Sequence, residues 1–450
     1  MVSVAVVGAG YVGLTLSVFL ASRGVKTFCV EKDARKAEAI REGIPPFFEH
    51  GLGELLRKTL SDKLLDVRTT IDDDVGAADA FFITVGTPVG LDLAPDLSQV
   101  RSAAEDIGAA LGRWREGAPL VVLKSTVPPL TTWGLVRPLI EEKSGRRCGQ
   151  GFHLCFNPEF LREGSALSDT AYPDRIVIGA EHKEAAESLE RLYRRLYGDR
   201  EIPTVTTSTV NAELIKLATN AFLALKISFI NLIARICENV EGGDVAEVAR
   251  GLGLDPRIGS HFLRAGIGFG GSCLPKDLRA LAGFAARLGV EASLLNSVLS
   301  INKGQRLRVV EMAEQALGGL SGRRVAVLGL AFKPGTDDVR ESPAIEVVKE
   351  LVLRGAEVHV HDPRASGKAR EALGDAVRYH GDVESCLADA DAAIIATDWE
   401  QYSSLSPARV RALMRRPIII DGRRILDPRK WYNENVQYFG IGFPPRSIGT

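Results

Sequence analysis

The chain has 450 residues, 45% of them hydrophobic and 25% charged, with a formal net charge of −1. That length exceeds what one hydrophobic core serves, so two or three domains are expected, and the balanced charge argues against nucleic acid or an anionic membrane as partner. The six cysteines, Cys29, Cys148, Cys155, Cys237, Cys273 and Cys386, form no CxxC pair, which argues against a zinc site or a disulfide framework and for a reducing, cytoplasmic compartment.

The apolar start, Val2 to Ala21, has no basic leader and is interrupted by Gly8, Gly10 and Gly13, so it reads as strand, turn and helix rather than as a signal peptide. No other uninterrupted apolar run reaches the length a bilayer requires. Strands are predicted at Val2 to Val7, Thr27 to Glu31, Phe81 to Val85, Leu120 to Lys124, His153 to Phe156 and Ile176 to Ile178, alternating with amphipathic segments. Several are apolar on both faces, the mark of a parallel sheet covered on both sides by crossover helices in a doubly wound fold.

Immediately after the first strand comes Gly8-Ala9-Gly10-Tyr11-Val12-Gly13, opening a helix that is expected to run to about Arg23. The first glycine permits the tight turn, the second lets backbone N–H groups approach a pyrophosphate, and the third allows close helix packing. Glu31 follows at the end of the second strand. A carboxylate there can accept hydrogen bonds from the ribose hydroxyls and would repel a 2′-phosphate, so the spacing predicts NAD rather than NADP.

From Thr209 to Val240 the pattern becomes one long helix without Gly or Pro, a rod of roughly 45 Å. It needs surfaces to cover it, and either a subunit interface or packing against flanking domains would provide them. On it Lys216 and Asn220 stand four apart and share a face among apolar neighbours, where a lysine needs a compensating anion. Helical sequence continues to about Asn302. Within it, GIGFGGSCLPKD (Gly266 to Asp277) is a glycine-dense loop followed by a cysteine and, four residues on, an acid. If a helix begins near Cys273, its N-terminus favours a thiolate and Asp277 lies one turn along.

A Gly-rich, polar stretch from Gly318 to Arg324 marks a boundary, after which strands are predicted at Val325 to Leu328, Glu357 to His361, Ala392 to Ala396 and Ile418 to Asp421. They describe a second, smaller doubly wound domain. Its Gly329-to-Gly335 segment is no dinucleotide fingerprint, though Lys333 and backbone amides there could hold a nucleotide. His359 and His361 fall on one face of a strand, but no third ligand accompanies them and no metal is expected.

These motifs, taken in order, resemble the UDP-glucose/GDP-mannose dehydrogenase family: VVGAGYVG, VGTP (Val85 to Pro88), KSTVPP (Lys124 to Pro129), NPEFLREG (Asn157 to Gly164), PDRIVIG (Pro173 to Gly179), NAELIKLATNAF (Asn211 to Phe222), GFGGSCLPKD (Gly268 to Asp277), GLAFKPGTDDVRESP (Gly329 to Pro343) and DGRR (Asp421 to Arg424). The resemblance spans nearly the whole chain. It implies an α/β architecture of two Rossmann-like domains joined by a central long-helix domain: an NAD-binding domain at 1–205, a helical dimerisation domain at 206–305 and a nucleotide-sugar-binding domain at 306–450.

It also implies an NAD-dependent four-electron oxidation of the C6 alcohol of a nucleotide sugar, with Cys273 capturing the aldehyde as a thiohemiacetal that becomes a thioester. Thr126, Glu159 and Asp277 match positions that handle water and protons, and Lys216 and Asn220 match those that stabilise the oxyanion. By the same matching, Phe160, Leu161, Phe269, Gly270, Phe332 and Lys333 are expected to line the sugar-nucleotide pocket, with Arg257 and Arg423 meeting sugar or phosphates and a neighbouring subunit open as the source of one of them. NAD is expected to touch Gly8, Gly10, Tyr11, Val12, Gly13, Glu31, Lys36, Thr87, Thr126, Glu163 and Arg340.

The segment after VGTP, VGLDLAPDL, departs from the family's DGxxDL pattern, and Glu31 stands where Asp is commoner. UDP-glucose is the expected substrate. UDP-N-acetylmannosamine and GDP-mannose remain open within the family, and a two-electron hydroxyacid-type dehydrogenase remains open outside it.

Overall fold

A run such as Val4, Ala5, Val6 and Val7 is apolar on both faces, so a strand made from it must be covered from both sides. The computed structural model of the protein, which describes residues 2–90, 94–113, 117–432 and 434–444, builds two sheets of this kind. They belong to two units. One comprises the chain up to Thr219 together with Arg279–Leu288, the other Asn220–Leu278 together with the chain from Gly289 onward.

In the first unit the strands are β1 (Ser3–Val7), β2 (Lys26–Val30), β3 (Leu65–Arg68), β4 (Ala80–Ile83), β5 (Leu120–Leu123), β6 (His153–Phe156), β7 (Ile176–Ala180) and β8 (Thr204–Thr207), in spatial order β3-β2-β1-β4-β5-β6-β7-β8. The first six follow the dinucleotide-binding order and pair in parallel. Alternate residues face opposite cores: Val4 and Val6 pack with Phe19 and Leu20, Ala5 and Val7 with Ile107 and Ile140.

One expectation is corrected. β7 runs antiparallel to β6, with Cys155 opposite Ala180, because the link between them carries only the six-residue helix Ala166–Ala171 and makes no full crossover. β3 and β8 were not anticipated; LDVR alternates weakly and TVTT is largely exposed at the sheet edge.

The second unit contains β9 (Arg324–Leu328), β10 (Glu357–His361), β11 (Arg378–Tyr379), β12 (Ala392–Ile395), β13 (Ile418–Asp421) and β14 (Gln437–Gly440), in order β11-β10-β9-β12-β13-β14 and all parallel. This is the same doubly wound order as β3 to β6, so the two-Rossmann expectation holds. His361 meets Tyr402 and His359 stacks on His380, interactions internal to this sheet's surroundings.

The long helix is Thr209–Glu238, 30 residues, and the helices Val245–Gly253, Leu274–Arg287 and Ser293–Leu317 follow. The last runs past Asn302, where the pattern in the sequence ends it, and stops only at Gly318, whose φ of 70° suits a glycine. By length and composition Thr209–Glu238 is apolar enough to cross a membrane, which scanning for uninterrupted apolar runs missed; 44% of its most apolar stretch is buried in the chain.

Candidate active site

The two units each carry part of the predicted constellation. In the first, Gly8 adopts φ 101° and a side chain on it would crowd the Val85 backbone at 3.0 Å; one on Gly13 would meet the Gly8 carbonyl at 1.8 Å. Around Gly10, by contrast, nothing lies within 4 Å of an added Cβ. The helix Tyr11–Ser22 begins there with no side-chain cap, so its first N–H groups face an open cradle shaped for a pyrophosphate. Glu31 accepts from Ala9 N at 3.1 Å and from Asp33 N at 3.0 Å, one bond to each carboxylate oxygen, which fixes the turn and leaves lone pairs for ribose hydroxyls. The residues fit a dinucleotide.

At the carboxyl edge of the same sheet, Thr87 Oγ1 donates to the Thr126 carbonyl at 2.8 Å and Ser125 Oγ to the Val85 carbonyl at 2.7 Å, fastening the KSTVPP segment to the end of β4. Glu163 is buried nearby in sequence to Glu159, while Lys36 lies exposed on the helix Ala34–Arg41.

Glu159 Oε1 pairs with Lys216 Nζ at 2.9 Å, and Glu159 Oε2 accepts from Leu161 N at 2.8 Å. Lys216 is buried, so Glu159 is an anion of the kind its surroundings require. Phe160 lies under both Arg175 and Lys216, at 3.8 and 5.4 Å from the ring centre.

In the second unit the glycine loop is packed tightly. A Cβ on Gly268 would meet Asn302 Oδ1 at 2.5 Å, one on Gly270 the Glu341 carbonyl at 2.2 Å, and one on Gly271 the Phe332 ring at 2.7 Å. Asn302 brackets Phe269, accepting from its N–H at 2.8 Å and donating to its carbonyl at 3.0 Å, while Gly271 N donates to the Arg340 carbonyl at 3.0 Å.

The loop delivers Cys273 to the start of the helix Leu274–Arg287, with Asp277 N donating to the Cys273 carbonyl at 2.9 Å, so the sulfur sits at the positive end of the helix. Asp277 is buried and accepts from Asn220 Nδ2 at 2.6 Å and from Lys276 Nζ at 2.7 Å. Cys273 is the one exposed cysteine of the six. Burial pushes the thiols of Cys29, Cys155 and Cys386 up to about 12, which leaves them inert.

Arg423 donates to the carbonyls of Ala396, Gly268 and Phe332 at 2.7, 3.3 and 3.4 Å. No carboxylate lies within ion-pair distance of it among the described residues, and the surrounding protein pushes its guanidinium below the ordinary value. Such a cation, beside Phe332 and Lys333, is prepared for an anionic ligand. Two further arginines expected at ligands are ion-paired within the chain. The exposed Arg257 is engaged by Asp255 at 2.6 Å, and Arg340 is held by Asp338 at 2.6 Å.

Residues not singled out from the sequence are Lys124, Asn157, Glu213 and Asn302. Lys124 could have been noticed as a charge closing the wholly apolar run LVVL; the others reveal themselves only through their partners.

The dinucleotide cradle with its acidic strand end marks the first unit as that of an NAD-dependent dehydrogenase, and each unit adds its own group: a buried lysine–carboxylate pair in the first, an exposed cysteine with a buried amide–acid pair in the second. The chain matches the UDP-glucose/GDP-mannose dehydrogenase family in all three of its parts: the NAD binding domain at residues 2–197, the central domain at 210–304 and the UDP binding domain at 326–428. It belongs to that family, and NAD is its cofactor.

It is 41% identical to a UDP-glucose 6-dehydrogenase of Bacillus subtilis over 99% of this chain and 94% of that protein, and 43% identical to one of Haloferax volcanii over 94% and 97%. Among solved structures, a UDP-glucose dehydrogenase from Pyrobaculum islandicum superposes with a TM-score of 0.90 at 42% identity, covering 98% of each chain. A UDP-D-ManNAc dehydrogenase from Pyrococcus horikoshii gives 0.86 at 30%, covering 98% and 99%.

Proposed function

We propose that the protein oxidises the C6 alcohol of UDP-glucose to the carboxylate of UDP-glucuronate, forming two NADH per sugar, through a thioester on Cys273. The observation that carries this reading is the setting of Cys273: the one exposed thiol, at a helix start, behind a loop in which a side chain on Gly268, Gly270 or Gly271 would displace its neighbours. A two-electron hydroxyacid dehydrogenase has no use for such a thiol. Identities of 41–43% to UDP-glucose enzymes, against 30% to the UDP-D-ManNAc enzyme, favour glucose as the sugar.

The chemistry divides among the residues as follows. The alcohol gives up a hydride and a proton, and Thr126 and Glu159 receive the proton through water. The Cys273 thiolate adds to the aldehyde carbon, and Lys216 and Asn220 stabilise the resulting alkoxide. Loss of a second hydride from this thiohemiacetal leaves the thioester, which water, activated through Asp277 and Glu159, hydrolyses to the acid and the free thiol. NAD, when bound, takes up the hydride in each oxidation. Gly8, Gly10, Tyr11, Val12, Gly13, Glu31, Lys36, Thr87, Glu163 and Arg340 serve the cofactor; Phe160, Leu161, Phe269, Gly270, Phe332, Lys333, Arg257 and Arg423 serve the nucleotide sugar. On this reading 1–205, 206–305 and 306–450 act as cofactor, dimerisation and sugar-nucleotide domains.

A homodimer is part of the proposal. Phe222, Phe229, Leu232 and Ile236 are exposed at spacings of seven, three and four on one stripe of the long helix, an apolar face that a second copy would cover. A cytoplasmic location, where an exposed thiol stays reduced, accords with Cys273.

The test is a panel of UDP-glucose, UDP-N-acetylmannosamine, UDP-N-acetylglucosamine and GDP-mannose, scored by kcat/KM, with NADH counted per sugar consumed. Two NADH with UDP-glucose preferred is the expected result. One NADH per sugar would overturn the four-electron reaction, and preference for another sugar would reassign the substrate.

A further inference from the structure

The loop that leads to Cys273 is buried although it belongs to no helix or strand: residues 265–271 are all buried, and the chain comes to the surface at Cys273. The backbone N–H and C=O groups of such a segment need the partners that regular structure would otherwise supply. Three side-chain amides provide them. Asn231, on the long helix, accepts from Gly266 N at 2.9 Å, and Gln305, on the helix Ser293–Leu317, donates through Nε2 to the Gly266 carbonyl at 3.0 Å. Asn302 lies three residues before Gln305, on the same face of that helix, and holds Phe269 by its N–H at 2.8 Å and by its carbonyl at 3.0 Å.

All three amides are buried. The two helices that carry them are also joined to each other, since Gln305 Oε1 accepts at 2.9 Å from Nε of Arg235, which stands one turn beyond Asn231. An amide suits this setting. It carries no charge to desolvate, and it offers an acceptor and a donor in one plane, so Asn302 pairs with Phe269 as a neighbouring strand would.

The fit is close. Gly268 has φ 96°, and a side chain on it would strike Asn302 Oδ1 at 2.5 Å. Only Gly270, Gly271 and Ser272 separate Phe269 from the thiol, and Gly271 N is tied to the Arg340 carbonyl at 3.0 Å. Little slack is left in the loop, so a shift at Phe269 is passed on to Cys273.

We infer that Asn302 is a positioning residue for Cys273: by bracketing Phe269 it fixes the glycine loop and sets the sulfur where it adds to the aldehyde carbon. The inference rests on the reaction proposed above, and it gives Asn302 no contact with substrate. It also divides that reaction in two. Oxidation of the alcohol to the aldehyde does not use the thiol, whereas oxidation of the aldehyde does, so a displaced loop harms the second step and spares the first.

The test supplies the 6-aldehyde of UDP-glucose to the purified protein in two ways. With NADH, the aldehyde takes up a hydride and a proton and returns to the alcohol, the reverse of the first oxidation. With NAD, the Cys273 thiolate adds to it, a hydride leaves to NAD, and water hydrolyses the thioester to the acid and the free thiol. Asn302→Leu has the same branched outline as Asn and removes both bonds to Phe269. Asn302→Asp keeps the acceptor for the Phe269 N–H but sets an oxygen against the Phe269 carbonyl.

In Asn302→Leu, kcat for oxidation of the aldehyde should fall roughly 10- to 100-fold, the range that follows when a reacting group is misplaced by about an ångström. Reduction of the same aldehyde should stay within about twofold of the unmodified rate, with KM little changed in either direction. Asn302→Asp should show the same split, and it carries the comparison if Asn302→Leu does not fold. Equal slowing of oxidation and reduction overturns the inference, because a residue that only holds the fold harms both; so does a native rate of oxidation. The proposed function is judged separately, on the unmodified protein. If that protein reduces the aldehyde but does not oxidise it, the four-electron reading is lost, and this inference with it.

Discussion

Lys216 and Glu159 form a buried ion pair at 2.9 Å, the lysine from the long helix and the glutamate from the segment after β6. The pair puts a cation at a point where the helix is otherwise apolar, with Leu217 and Ala212 fully buried close by. If the lysine stabilises an oxyanion, Lys216→Ala should lower kcat by roughly 100- to 1,000-fold, the typical loss of one such donor. Steady-state kinetics with saturating NAD and sugar check this. A variant retaining a third of the native kcat would remove Lys216 from the chemistry.

Glu31 follows β2, where the ribose of NAD is proposed to lie, and it accepts the Ala9 N–H in the glycine turn. Glu31→Ser should therefore narrow the preference for NAD over NADP by relieving repulsion, and it should also raise KM for NAD roughly tenfold through the lost charge-assisted bond. The two effects separate in parallel kcat/KM measurements with both cofactors. Equal kcat/KM values in the unmodified protein would refute the assignment of Glu31.

Glu213 is fully buried on the long helix and receives Leu130 N at 2.6 Å, Thr132 N at 2.8 Å and Thr132 Oγ1 at 2.6 Å. Leu130 has φ 75°, uncommon for a residue with a Cβ, so this carboxylate holds a strained turn just beyond Thr126. Glu213→Gln turns one oxygen into an amide that faces a donor. It should cost about 1–3 kcal/mol of stability, read by urea denaturation. An unchanged midpoint would show that the turn does not depend on it.

Much of this molecule is legible in its sequence because strands such as LVVL and AFFI are apolar on both faces and the glycine turn follows β1 directly. The same reasoning that placed Lys216 and Asn220 on one helix face found two residues that the structure buries, each with an acid partner: Glu159 for Lys216, Asp277 for Asn220. What stayed hidden depends on distant chain. Asn157 shows its part only where Lys124 and Tyr193 meet it, and Asn302 only where it brackets Phe269. β7 could not be oriented from IVIGA, since an apolar run looks the same in either direction.

The apolar stripe of the long helix leads to a prediction about assembly. Phe229 and Ile236 are both exposed and lie two turns apart. Replacing both with Asp should leave the helix intact, as neither side chain is in the core, while converting a dimer to monomers in light scattering. A fully active monomeric unmodified protein at assay concentration would sink the dimer and the use proposed for this face.

Cys273 is the residue on which the second oxidation is proposed to turn. An aldehyde has no second hydride to give until a nucleophile has added to it, and Cys273 is the exposed thiol at the start of a helix, while three buried cysteines have thiols pushed up to about 12. Serine is nearly the same size, so Cys273→Ser should fold normally and retain NAD and nucleotide-sugar binding in calorimetry. Its turnover to the acid should fall by orders of magnitude, roughly 1,000-fold or more, because the hydroxyl is a poor nucleophile without a strong base and an oxygen ester is a less reactive acyl intermediate than a thioester. Rapid quench and intact-mass analysis of the unmodified enzyme should in parallel reveal protein heavier by the acylated sugar nucleotide, and the Ser variant should show far slower accumulation. If Cys273→Ser still yields two NADH per sugar at the native rate, the thioester route is wrong, and the second oxidation must proceed through a hydrated aldehyde with Asp277 and Glu159 handling its protons.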